Sequence, residues 1–180
     1  YRYYVFGFIT VWLGFLTKTL PILWLPLVVI LLIKQRLWSS LALAVVFSSA
    51  LIYLLTVTIL PTTQAWGSLL NPGVTSGAVG SFHKILVTYL DAWPNLTLLT
   101  RLDVLAKFKL FTLAVFGVIY LAILVQFCLR SLKQRDSELS LSLDIGWVNL
   151  ALFLIATPWL MPWYASILLP AIALNIDERR

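Results

Sequence analysis

The chain has 180 residues, of which 61% are hydrophobic and 11% charged, against roughly 45–50% apolar and about 25% charged in an ordinary soluble domain. A protein of this size buries only part of the surface its unfolded chain exposes, so much of this apolar area would be left in water. The composition excludes an ordinary water-soluble domain and points to lipid as the solvent, with room for roughly four to six crossings and one sizeable loop.

The net charge of +6 arises from 13 Lys and Arg against 7 Asp and Glu. The cations gather in short knots at the ends of apolar runs: Lys34 with Arg36, Arg130 with Lys133 and Arg135, and Arg179 with Arg180. Such knots mark cytoplasmic loops rather than a nucleic-acid-binding face, so membrane lipids are expected partners and nucleic acid is not. The single cysteine, Cys128, excludes an intramolecular disulfide and a CxxC metal site, and reads as a small hydrophobe. Walker loops, GxGxxG, HExxH, zinc-ligand spacings and DxD are all absent, so no metal or cofactor is expected.

In chain order, residues 3–33 form an apolar stretch with Lys18 and Pro21 in its middle. Proline removes a backbone donor and disfavours helix just before it, so this region is expected to be two short half-helices meeting at a break, or else one kinked helix. Residues 37–60 then give a full crossing. Residues 61–107 form the expected extracytoplasmic loop. Within it a turn-rich stretch, 71–77, precedes Phe82, Ile85, Leu86, Tyr89, Leu90 and Trp93, whose spacing predicts an amphipathic helix. Its opposite face carries Lys84, Thr88 and Asp91, and the helix is expected to lie on the membrane surface or to cover a cavity. A second amphipathic stretch over 96–109, with Asn95 placed to cap it, leads into the second full crossing, 108–129.

The last apolar region, 145–176, is interrupted by Pro158 and Pro162. A turn there returns Arg179 and Arg180 to the side of the other basic knots, which favours a broken hairpin over one continuous helix. The expected fold is therefore all-α: one polytopic transmembrane helical bundle over residues 1–180, with broken short helices and an extracytoplasmic amphipathic helix. Opening on Tyr1 rather than Met, the chain is expected to be a piece of a longer membrane protein. Irregular backbone at membrane depth survives only where protein covers it or where it lines a wet cavity. Two breaks on one side thus point to a cavity at the outer face, unless the prolines merely kink their spans.

Few residues could carry chemistry there. Lys18 is placed to hold an anionic group such as a phosphate, or to snorkel toward headgroups. His83, the only histidine, stands beside Lys84 and could donate to a phosphate or shuttle a proton, or be plain polar surface. Asp91 and Asp103 are the only carboxylates of the outer loop, and either could act as a general base only if burial or partners placed it correctly. Trp159, Trp163 and Tyr164 belong either to the interfacial aromatic belt or to a wall gripping a sugar or an isoprenoid chain. Asn95, Leu96 and Thr97 match the three-residue N-glycosylation pattern.

The segment from Ala156 to Leu174, with Pro162, Trp163 and Tyr164 followed by Leu169 and Pro170, resembles the Pro-Trp-Tyr segment near the carboxyl end of GT-C class polytopic glycosyltransferases. The similarity is to the bacterial polyprenyl-phosphate-mannose-dependent mannosyltransferases in particular. The stretch from Gly14 through Lys18 to Pro21, followed by Leu25, Pro26 and a basic knot, is similar to the Lys-Pro helix break of the same enzymes. The resemblance implies inverting transfer of a sugar, mannose in that family, from a polyprenyl-phosphate donor to a glycan or lipid acceptor outside a bacterial plasma membrane. It implies a donor-side role for Lys18, Trp163 and Tyr164. The family's acidic base belongs to an amino-terminal loop with no counterpart here, and Met161 stands where the family often has histidine. A transporter or permease fragment, with its binding site at broken helices, is the alternative.

Overall fold

The computed structural model describes residues 2–17, 20–70, 81–93, 95, 97–130, 137–157 and 168–169. Among these the secondary structure is helical throughout, without a strand. The chain divides into two units, Tyr1–Gly73 with Ser131–Leu141, and Val74–Arg130 with Ser142–Arg180.

In the first unit, α1 (Arg2–Thr17) is followed by a 3₁₀ turn (Leu20–Trp24), α2 (Leu25–Lys34), α3 (Trp38–Thr58) and α4 (Thr63–Leu70). Pro21 lies inside the 3₁₀ turn and Pro26 in the first turn of α2, where a missing N–H is tolerated. The turn packs closely on α1, since a Cβ at Gly14 would come within 3.0 Å of Pro21 Cγ. Phe8, Trp12 and Phe15 share one face of α1 and meet Ala44 of α3, with Ile22, Val28, Phe47 and Trp66 packed around them. Trp12 Nε1 donates to Ser48 Oγ at 3.0 Å, and Ser48 Oγ donates to the Ala44 carbonyl at 2.7 Å, so the indole's polar tip is satisfied within the cluster. α2 ends in a Schellman motif. Leu37 N–H bonds to the Leu32 carbonyl and Arg36 N–H to that of Ile33, with Arg36 left-handed at φ 55°.

The second unit holds α5 (Phe82–Asp91), α6 (Leu98–Leu129), most of α7 (Ser137–Ala151) and a π-helical stretch (Leu152–Ala156). α5 packs on the amino-terminal part of α6, and the π-helical stretch packs on α6 as well. Thr157 closes the π turn, with both its N–H and its hydroxyl donating to the Leu152 carbonyl at 2.9 Å.

Two helices, α3 with 21 residues and α6 with 32, are long and apolar enough to cross a membrane. The most apolar stretch of α3 is only 11% buried and that of α6 only 17%.

The structure departs from the sequence reading in several places. α6 runs unbroken from Leu98 to Leu129, so the second amphipathic stretch and the crossing it was expected to lead into share one helix. Its charge-free part starts only at Leu110, because Lys109 lies within it. Its cap is Thr97 rather than Asn95: the Thr97 hydroxyl accepts from Thr100 N–H, the donor three residues on that an N-cap side chain can reach. The stretch 61–107 contains α4, unforeseen from sequence, whose first turn is tied by Ala65 N–H donating to the Thr62 hydroxyl at 3.2 Å. The helix expected to begin at Ile145 begins at Ser137, because Asp144 is buried and paired with Arg130 instead of ending the element in water. The breaks expected at Pro158 and Pro162, and the return limb to 176 apart from residues 168–169, lie outside the described residues.

Candidate functional site

α5 starts after Ser81, whose extended backbone and carbonyl receive the first turn's N–H groups. Seven residues separate His83 from Leu90, which places both on one helical face; both are buried, at 6% and 7% exposure. The apolar face read from spacing, with Phe82, Ile85, Tyr89 and Trp93, is expected to lie on the membrane surface or to cover a cavity, and all four are more than half exposed on the protein. The face that docks on α6 is one step round the helix and includes the histidine, so His83 is neither polar surface nor open to solvent.

The docking contact has a definite chemistry. Thr112 of α6 donates its hydroxyl hydrogen to the Lys109 carbonyl at 3.0 Å, leaving its oxygen to accept. His83 Nε2 lies 3.2 Å from that oxygen and is therefore the protonated ring nitrogen of the neutral imidazole. Nδ1 is then a buried acceptor, and it has no partner. The ring also stands edge-on to Phe108, 5.1 Å away and inclined by 71°. Burial pushes the His83 pKa below its ordinary 6.5, and the Lys109 ammonium pushes it the same way. A neutral His83 whose N–H is already engaged does not present a cation to a phosphate.

Asp91 and Asp103 are both paired with cations. Asp91 receives Arg101 Nη1 at 3.3 Å, and the same guanidinium donates through Nη2 to the Trp93 carbonyl at 2.8 Å. Arg101 thus ties the end of α5 to the first turn of α6. Asp103 pairs with Lys107 at 2.7 Å, an i,i+4 pair open to solvent and worth only a few tenths of a kcal/mol, about 0.3–0.5. Both carboxylates are open to solvent. Lys84 is exposed on α5, away from the His83 contact.

The structure thus brings together His83, Phe108, Lys109 and Thr112, and separately Asp91, Trp93 and Arg101. Lys18, Trp159, Trp163 and Tyr164 lie outside the described residues. Sequence reasoning missed Thr112 and Arg101. Thr112 did carry a signal, because a lone hydroxyl early in an apolar run belongs on the face that meets another helix rather than lipid. Arg101 carried none, since its partner is ten residues away across a turn. Among the described residues no three His, Cys, Asp or Glu side chains gather to hold a metal ion.

What remains open on α5 is an outer stripe of Phe82, Ile85, Tyr89 and Trp93, with the last two rings 5.7 Å apart. Comparison with protein-family models, with curated proteins and with solved structures gives no match.

Proposed function

We propose that the chain is an integral, multi-pass part of a bacterial plasma-membrane glycosyltransferase. It moves a sugar, mannose by the resemblance, from a polyprenyl-phosphate donor to a glycan or lipid acceptor at the outer face. The observation that carries this reading is the aromatic outer stripe of α5, fastened to α6 beside Lys109, where the charged part of α6 gives way to its apolar part. A helix with Phe, Tyr and Trp on its open side, one flank bearing Lys84, Thr88 and Asp91, is suited to lie in the headgroup region. An enzyme using a lipid-linked donor needs such a cover at the edge of its cavity, so that the isoprenoid stays in lipid while the sugar meets its acceptor in water.

Two further features support the reading. The uncovered apolar surfaces of α3 and α6 fit lipid rather than water as their surroundings. The Pro162–Trp163–Tyr164 segment and the Lys18–Pro21 break supply the resemblance to GT-C enzymes, with Lys18 at the donor phosphate and Trp159, Trp163 and Tyr164 walling the donor. On this reading His83 and Lys109 position α5 instead of touching the donor.

The test is transfer of label from radiolabelled polyprenyl-phosphate mannose to membrane acceptors by the full-length protein in proteoliposomes. Transfer that falls when Lys18→Ala is introduced, with the protein still folded, is the expected result. Solute uptake by the same proteoliposomes without any transfer contradicts the proposal and favours the transporter reading.

A further inference from the structure

α5 is held on α6 at two points that differ in chemistry. Its amino-terminal end is held by His83, which is buried against Phe108 and Thr112. Its carboxyl-terminal end is held by Arg101, which donates to Asp91 Oδ1 at 3.3 Å and to the Trp93 carbonyl at 2.8 Å. His83 and Asp91 are separated by about 12 Å of helix at 1.5 Å per residue, so the two points can act separately. Leu90, the other buried side chain of α5, lies next to the second point, while Leu86 and Val87 are only partly buried. Docking of the amino-terminal end therefore depends on the imidazole.

That imidazole sits where a second proton is unwelcome. With Nε2–H directed at the Thr112 hydroxyl, an added proton goes to Nδ1, which is buried without a partner. The result is a buried donor with no acceptor on a ring that now carries charge, and both are costly away from water. The charged groups of the two helices give no relief. Lys109 of α6 repels an imidazolium at this position. Asp91 is engaged by Arg101 and Asp103 by Lys107, while Lys84 is exposed on α5 and has the same sign as the imidazolium. Once off α6, the ring is hydrated and accepts the proton as an ordinary histidine does. The bond from a guanidinium to the Trp93 carbonyl does not titrate near neutral pH, so the second point lacks this sensitivity.

We propose that α5 is a proton-released strap: its amino-terminal end leaves α6 when His83 takes up a proton, while Arg101 keeps its carboxyl-terminal end attached. The proposal rests on the α5–α6 contact and is independent of the glycosyltransferase reading. Docking lowers the pKa of His83 below 6.5, so proton uptake favours release. Docking is strongest above 6.5 and weakens as the pH falls from there through the docked value. Below both values the ratio of released to docked α5 has risen by the same factor by which docking weakens proton binding. Release uncovers Phe108 and Thr112 of α6. It also sets a cationic His83 beside Lys84 and the open side chains of Phe82 and Ile85, a basic amphipathic end suited to a headgroup layer.

Distances between paired nitroxide labels, measured by electron paramagnetic resonance on the full chain in mild detergent, test this in a Cys128→Ser background. The exposed pair Lys84→Cys with Leu113→Cys reports the amino-terminal end of α5, and Ala92→Cys with Leu113→Cys reports the other end. Between about pH 7.5 and about pH 5 the first distance is expected to lengthen and broaden. A swing of about 30° on an arm of about 12 Å moves that end by about 6 Å. The second distance is expected to stay unchanged. His83→Phe keeps a ring of similar shape that takes no proton, and is expected to hold the first distance at its neutral-pH value. Lys109→Gln spares the ring and its hydroxyl partner, and is expected to lessen the response. A first distance that ignores pH overturns the proposal, as does a response that survives His83→Phe or is undiminished in Lys109→Gln. Equal lengthening of both distances overturns it too, because the whole helix then comes away.

Discussion

At the scale of single residues, His83 is the most informative side chain. It is the only histidine, and a lone histidine invites a catalytic role. Here its Nε2–H is engaged by Thr112 and its Nδ1 is buried without a donor. An unsatisfied buried acceptor is a liability, so replacing the imidazole by an apolar ring of similar shape loses little. His83→Phe is therefore expected to leave thermal unfolding in mild detergent unchanged or slightly raised. Thr112→Val strands the Nε2–H as well, and is expected to destabilise by about 1–3 kcal/mol. A large loss of stability in His83→Phe contradicts the assigned tautomer and contact. The pH dependence follows from the same burial. With its pKa held below the ordinary 6.5 by burial and by Lys109, folded His83 takes up a proton less readily than unfolded His83 does. Between the folded pKa and 6.5 the unfolded chain binds more protons, so stability is complete above 6.5 and declines as the pH falls through this window. Amide exchange of α5 is expected to speed up on acidification relative to that of α3, and to lose this dependence in His83→Phe.

At the scale of elements, caps and close approaches set where helices stop. Thr97→Ala is expected to cost about 1 kcal/mol and to fray the first turn of α6, whereas Asn95→Ala is expected to do neither. Hydrogen exchange at Thr100 N–H distinguishes the two. Gly14 faces the Pro21 ring at a distance that leaves no room for a branched side chain. Gly14→Val is expected to push the 3₁₀ turn off α1 and to destabilise the first unit by about 1–3 kcal/mol, seen as a lowered unfolding temperature. These elements also show where sequence reading works and where it stops. The two long helices were legible because a charge-free apolar run of about 20 residues has few other outcomes. The docking face of α5 was not, because periodicity counts His83 as polar, whereas its ring buries like a hydrophobe once one nitrogen finds a hydroxyl. The start of α7 was not legible either: Asp144 reads as a boundary until Arg130, 14 residues earlier, is seen to neutralise it. α4 is only 8 residues long, too short for a periodic signal, and its Trp66 finds the α1–α3 cluster only in three dimensions.

At the scale of the whole molecule, many large apolar side chains among the described residues are exposed on the two long helices while several polar ones are buried. Val118, Leu121, Phe111 and Leu129 of α6 are more than half exposed, as are Val46, Tyr53 and Val57 of α3. Meanwhile Ser40, Thr112, Ser140, Asp144 and Asn149 are buried. Water penalises such an arrangement by about 25 cal/mol for each Å² of apolar surface, while lipid does not. The central claim is therefore that lipid covers α3 and α6, and one labelling experiment addresses it directly. In a Cys128→Ser background, Val118→Cys and Lys84→Cys place a thiol at mid-α6 and on the outer part of α5, and isolated membranes are treated with a membrane-impermeant maleimide. Val118 is 68% exposed from the protein's own atoms, so in water a cysteine there would react readily. The expected result is rapid labelling at position 84 and none at position 118 until the bilayer is dissolved in denaturing detergent. Labelling of position 118 in intact membranes at the rate of position 84 would contradict the claim.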